Sequence, residues 1–126
     1  MTEISHPRNP NTPISHLPFS PSVKVGNLLF VSGQASVDGT GGIVIDTFEG
    51  EFHRSMANLI AILETAGTTL SRVVQTRCYV DSGNDLTEFN RLYAATFTAP
   101  YPARTTITQC FGGKLKFEID CIAVVD

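Results

Sequence analysis

The stretch Leu115-Lys116-Phe117-Glu118-Ile119-Asp120-Cys121-Ile122-Ala123-Val124 decides the fold. Leu115, Phe117, Ile119, Cys121 and Ala123 are apolar, and in an extended chain alternate residues point the same way. Lys116, Glu118 and Asp120 point the other way, followed by Ile122 and Val124. Such alternation predicts a β-strand with one buried face. Its second face turns from charged to apolar along its length, as at the mouth of a partly buried cleft. Glu118 and Asp120 stand about 7 Å apart on that face by strand rise. The same charges also fit a plain exposed sheet edge, and spacing alone leaves both readings open.

Just upstream, Arg104 follows Pro102-Ala103 and opens a predicted strand over 104–110. Phe111-Gly112-Gly113 joins it to the final strand, 115–124. Residues 105–110 carry no charge, so this lone guanidinium needs an anionic partner. Glu118 or Asp120 would make a simple ion pair. The carboxylate of a ligand would instead be held by two parallel hydrogen bonds.

Further out, Phe48, Phe52, Met56, Leu59, Ile60 and Leu63 recur at helical spacing within 46–66. Asp46 and Glu49 predict a capping box, and Gly67 the stop. Residues 73–81 predict a strand with Val74, Thr76, Cys78 and Val80 on one face. Asn84 or Asp85 is placed to cap a second helix carrying Leu86, Phe89, Tyr93 and Phe97, which ends before Pro100. Residues 22–25 and 28–32 read as a hairpin around Gly26-Asn27. Ser32-Gly33-Gln34 then ends a strand with a hydroxyl, a flexible glycine and an amide. A turn over 38–42 leads into the apolar run 43–45. Residues 1–21 hold five of the seven prolines and predict an extended arm, laid over the domain or partly disordered. Residues 22–126 form one domain. The order is that of an α+β fold, a mixed sheet with two helices on one face.

The 126 residues suffice for one core, and the net charge of -3 excludes binding that rests on a strongly basic surface. Charged residues are 17%, against roughly 25% in an average soluble domain. That shortage of charge predicts apolar surface covered by further copies of the chain. Membrane-span and secretory patterns are not seen, so a cytoplasmic protein is expected. His6, His16 and His53 lack metal-ligand spacing, and His53 reads as a solvated helix position. Cys78, Cys110 and Cys121 fit neither a disulfide framework nor a zinc ribbon, and Cys110 reads as a half-buried thiol. Ser32 sits in no nucleophile elbow, Gly39, Gly41 and Gly42 form no phosphate loop, and Tyr79, Tyr93 and Tyr101 read as packing residues.

GNLLFVSGQ (26–34), the helix stop at 66–67, VVQTRCYV (73–80), FNRLY (89–93), YPART (101–105) and KFEIDCIAV (116–124) together resemble the RidA/YjgF family of reactive-intermediate deaminases. The resemblance runs over about 19–124. It implies a chorismate-mutase-like α+β fold and a homotrimer with sites between subunits. It also implies hydrolysis of enamines and imines, such as 2-aminoacrylate/2-iminopropanoate and 2-iminobutanoate, to 2-keto acids and ammonia, without metal or organic cofactor. On this resemblance Arg104 binds the substrate carboxylate. Glu118, rather than Asp120, is the acid beside the bound water. Ser32, Gly33, Asn90 and Thr106 are further binding positions, Thr106 through its backbone. Phe19 stands where the family pattern has tyrosine, which leaves the pocket without one hydroxyl. A relative acting on a bulkier acid, such as the 2-aminomuconate deaminases, fits that change. So does a non-catalytic trimer that binds small carboxylates. The endoribonuclease role attached to some relatives is disfavoured by the net charge and by the lack of a basic and aromatic stripe.

Overall fold

A computed structural model describes residues 2–10, 12 and 15–126; Met1, Asn11, Pro13 and Ile14 of the proline-rich segment lie outside it. The chain forms β1 (Ile4–Ser5), β2 (Ser22–Val25), β3 (Leu28–Ala35), α1 (Phe48–Thr65), β4 (Val73–Val80), α2 (Leu86–Thr96), β5 (Ala103–Thr108) and β6 (Phe117–Val124). All six strands join one sheet in the order β1-β2-β3-β6-β4-β5. β4 and β5 run parallel and the other neighbours are antiparallel, so the sheet is mixed.

The last strand lies in the middle of the sheet. In β6, Phe117, Ile119, Cys121 and Ala123 are buried while Glu118, Asp120, Ile122 and Val124 are half-buried. The buried row receives α1 through Phe52, Met56, Leu59 and Leu63. Phe52, Phe89 and Phe117 meet at the centre, with ring centroids 4.9 Å apart for 52–117 and 5.8 Å for 89–117. One ring comes from each helix and one from β6, so both helices cover the same sheet face. Burying each such ring contributes about 1.5–3 kcal/mol.

Several boundaries depart from the sequence reading. Thr47, not Asp46, caps α1, its hydroxyl accepting from the Gly50 N–H at 3.1 Å. The Asp46 carboxylate accepts from the Thr47 N–H and pairs with Arg54 at 3.4 Å. At the other end Gly67 (φ 84°) donates to Glu64 O, and Thr68 donates to Leu63 O, which closes the helix with a Schellman motif. In β4 the register shifts between Val73 and Gln75. This bulge turns Val74 outward and makes Val73, Thr76, Cys78 and Val80 the buried set. Asp85 occupies the N-cap of α2 without a side-chain capping bond. Ser82 caps the 3-10 turn that leads into it. The run 43–45 makes only an isolated bridge, Ile43 with Val37.

Lys116 lies just before β6 and does not share the Glu118 face. Its ammonium reaches Glu51 Oε2 at 3.2 Å and Asp46 O at 2.6 Å, and its N–H donates to Glu51 Oε1 at 3.0 Å. Glu51 is itself buried in α1, so this charge pair pins the start of β6 to the helix.

The uncovered face is split in character. Leu28 lies opposite Val124 and Phe30 opposite Ile122, giving an apolar end; Arg77, Tyr79, Glu118 and Asp120 form the polar end. The N-terminal segment adds β1 to the β2 edge and donates from Asn9 to Thr65 on α1. Among the described residues no helix is long and apolar enough to cross a membrane.

Candidate functional site

β6 places Glu118 and Asp120 side by side on the uncovered face, but in different electrostatic states. Asp120 is paired with its neighbours on β4. Arg77 Nε donates to Oδ1 at 2.9 Å and the Tyr79 hydroxyl to Oδ2 at 2.8 Å. Glu118 has no hydrogen-bond or ion-pair partner among the described residues, although it is half-buried. Burial, and then the charge of Asp120, push its carboxyl above the usual glutamate value. A half-buried carboxylate without a partner is equipped to take up a proton.

β3 supplies the floor. Val31 lies opposite Cys121 and Gln34 opposite Ile119, so Ser32 and Gly33 both face Asp120 across a bulge. Gly33 leaves room for the acid: a Cβ there would sit 2.8 Å from Glu118 Oε2 and displace that carboxylate. The Ser32 hydroxyl donates to Ser20 O, and its N–H donates to Pro21 O at 2.9 Å. These bonds tie Phe19 and its neighbours to the strand. Phe19, Ser32, Gly33 and Glu118 thus line one cleft of about 720 Å³, together with apolar Leu17, Ile43 and Leu115.

Arg104 and Thr106 are elsewhere. In the parallel pairing of β4 and β5, Arg104 lies beside Thr76 and Thr106 beside Cys78. Thr76 and Cys78 are fully buried beneath the helices, so Arg104 and Thr106 leave the outermost strand toward the α2 side. The Arg104 guanidinium carbon lies 4.9 Å from the ring centroids of both Phe89 and Tyr93. Neither Glu118 nor Asp120 pairs with it, which removes the simple ion pair as an account of this arginine. Asn90 is exposed on α2, adjacent to Phe89 in sequence. The residues singled out from the sequence therefore form two groups. Phe19, Ser32, Gly33 and Glu118 share the cleft; Arg104, Asn90 and Thr106 lie on the opposite side of the sheet.

Phe89 and Tyr93 had read only as core positions. Their spacing of one helical turn puts both rings on one line, but nothing local shows that an arginine will rest on them. Cys110 is exposed rather than half-buried. Residual desolvation and Asp81 raise its thiol, while burial pushes Cys78 and Cys121 up to about 12, so none of the three is an activated nucleophile. Among the described residues, no group of three or more His, Cys, Asp or Glu side chains converges to hold a metal.

Comparison with known proteins places the chain in a family. The family model for endoribonuclease L-PSP matches residues 10–125. A RutC family protein of Pyrococcus horikoshii is 35% identical over 108 residues, 85% of this chain and 84% of the relative. The 2-iminobutanoate/2-iminopropanoate deaminase of Salmonella typhimurium is 34% identical over 118 residues, 90% of this chain and 92% of the enzyme. The crystal structure of the YjgF gene product from E. coli superposes with a TM-score of 0.82 at 30% identity, covering 95% of this chain and 98% of that one.

Proposed function

Because this chain belongs to the endoribonuclease L-PSP family, the RidA/YjgF family, we propose that it is a cofactor-free deaminase of reactive 2-imino and 2-enamine acids. The observation that carries this reading is Glu118, a half-buried carboxylate without a partner that opens into a cleft, while its neighbour Asp120 is paired with Arg77 and Tyr79. The deaminase names of relatives 31–34% identical support it.

In this scheme the substrate carboxylate is held by Arg104 through two parallel hydrogen bonds. The geometry of one chain keeps Arg104 away from Glu118, so the arginine comes from a second copy docked on the uncovered face. The apolar end of that face, Leu28, Phe30, Ile122 and Val124, is suited to bury against such a copy, and a homotrimer closes the arrangement. Asn90 and the Thr106 backbone arrive with Arg104. Ser32, Gly33 and Phe19 belong to the Glu118 side.

The enamine first tautomerises to the imine. Water then attacks the carbon of the N-protonated imine as Glu118 accepts one of its protons, giving a neutral carbinolamine. Glu118 returns that proton to the amine, the C–N bond breaks to release ammonia, and the remaining hydroxyl gives its proton to the departing ammonia, leaving the 2-keto acid and ammonium. Orientation supplies much of the acceleration, because imines already hydrolyse readily in water.

The cleft also favours a second reading. Its apolar walls, Leu17, Phe19, Ile43 and Leu115, suit a bulkier and less polar acid than a three- or four-carbon imine. An enzyme resembling the 2-aminomuconate deaminases fits those walls. Both readings are tested by one assay. A pyridoxal-phosphate dehydratase or an amino-acid oxidase generates each imine in place, and release of keto acid and ammonia is followed. Acceleration by wild type that disappears in Glu118→Gln supports deamination. No acceleration with any imine, despite carboxylate binding, would overturn it in favour of a non-catalytic carboxylate-binding protein.

A further inference from the structure

Resting on the assignment of Arg104 as the carboxylate receptor, we infer that Phe89 and Tyr93 form a rigid aromatic cradle that pre-orients Arg104. They are positioning residues, one step removed from the substrate. The guanidinium carbon is 4.9 Å from each ring centroid, inside the reach of a cation–π contact on both. Both rings are immobilised. Phe89 is fully buried, 5.8 Å from Phe117 and 5.7 Å from Tyr93 between ring centroids. Tyr93 stacks on Phe97 at 4.5 Å, and its hydroxyl is fixed to Thr76 Oγ1 at 2.9 Å. Thr76 in turn receives the Cys78 thiol at 3.8 Å.

An arginine on the outermost strand, exposed and without an acidic partner among the described residues, would ordinarily sample many rotamers. The two rings replace the missing acid as its resting place without competing for its N–H groups. The donors facing away from the rings stay available, and less rotamer freedom is lost when a carboxylate arrives. A carboxylate partner in the same position would hold the arginine equally still but would block the ligand. The cradle therefore orients the cation and keeps it vacant.

The test uses the full chain and two stable probes, pyruvate and 2-oxobutanoate, with binding measured by calorimetry. Phe89→Leu and Tyr93→Leu each weaken binding about two- to fivefold, the loss expected for one cation–π contact at an accessible site. Tyr93→Phe, which keeps the ring, restores the affinity although its melting temperature falls because Thr76 loses the tyrosine hydroxyl. In turnover the leucine variants raise KM by the same factor while kcat moves less than twofold. Unchanged keto-acid affinity in both leucine variants, equal weakening in Tyr93→Phe, or no binding by wild type would each overturn the cradle. Keto-acid binding that depends on the rings, in a protein that hydrolyses no imine, would sustain the cradle and sink only the deaminase reading.

Discussion

Arg104 and Glu118 leave the same sheet on opposite faces. Arg104 on β5 lies beside Thr76, which is buried under the helices, while Glu118 on β6 lies beside Tyr79 on the uncovered side. A site that needs both is incomplete in one chain. Arg104→Ala and Glu118→Gln should each lower kcat/KM by about 10²-fold or more, the scale of a lost charged hydrogen-bond pair or a lost general base. Unfolding the two variants together, mixing them in equal amounts and refolding should restore activity. Random assembly puts an intact Arg104 and an intact Glu118 into about a quarter of sites, since a shared site draws one residue from each of two copies. A mixture no more active than its parents would place both residues of each site in one chain.

The raised carboxyl of Glu118 couples activity to pH. As the base it must be ionised, so kcat/KM should fall as pH drops through a value above that of an ordinary glutamate. Stability moves the other way. A folded-state value above the unfolded one means that the charged form burdens the fold at neutral pH, and that the burden lifts as pH falls through the folded value. Glu118→Gln should therefore melt at a higher temperature than wild type at pH 7, with the gap closing in acid. Scanning calorimetry at several pH values measures this; a gap independent of pH would show that the charge of Glu118 is not the cause.

Gly33 is predicted to act through Glu118. An added Cβ meets the end of that flexible side chain at 2.8 Å, so the backbone need not move but the carboxylate must. Gly33→Ala should fold with a melting temperature near wild type and lose about tenfold in kcat, since small misplacements of a reacting group are costly. A crystal structure of the variant would show the displaced carboxylate.

Phe19 leaves the cleft without a hydroxyl at that wall. Phe19→Tyr should shift the ratio of kcat/KM values toward the smallest imine and away from bulkier ones by about two- to tenfold, the worth of one hydrogen bond. Competition between imines derived from alanine and from leucine reads this ratio directly. An unchanged ratio would take Phe19 out of substrate selection.

Glu51 is predicted to matter for the fold alone. It accepts from the Lys116 N–H and ammonium and, at 3.2 Å, from the Asp46 N–H, while 2% exposed. Glu51→Gln should cost about 2 kcal/mol in urea unfolding, because a buried acceptor of charged and backbone donors is replaced by an amide that cannot satisfy them all. A change below about 0.5 kcal/mol would mean that the start of β6 relaxes to water instead.

The sequence by itself determined what depends on neighbours along the chain. The alternation in 117–124 fixed a strand with one buried face, and helical spacing fixed α1 and α2 together with the glycine stop at Gly67. The mixed sheet with helices on one face followed from their order. Residue by residue, the family resemblance also singled out Arg104 and Glu118. Tertiary structure decided what depends on register and on contacts distant in sequence. One extra residue at Val74 turned a side chain outward. The bulge at Ser32-Gly33 brought a glycine under Glu118, and the helix side captured Lys116. Parallel pairing of β5 with β4 sent Arg104 to two rings on α2 rather than to the nearby acids of β6. Periodicity along a strand tells which residues share a face. Which neighbour lies across that face depends on how distant segments meet, and local spacing does not encode it.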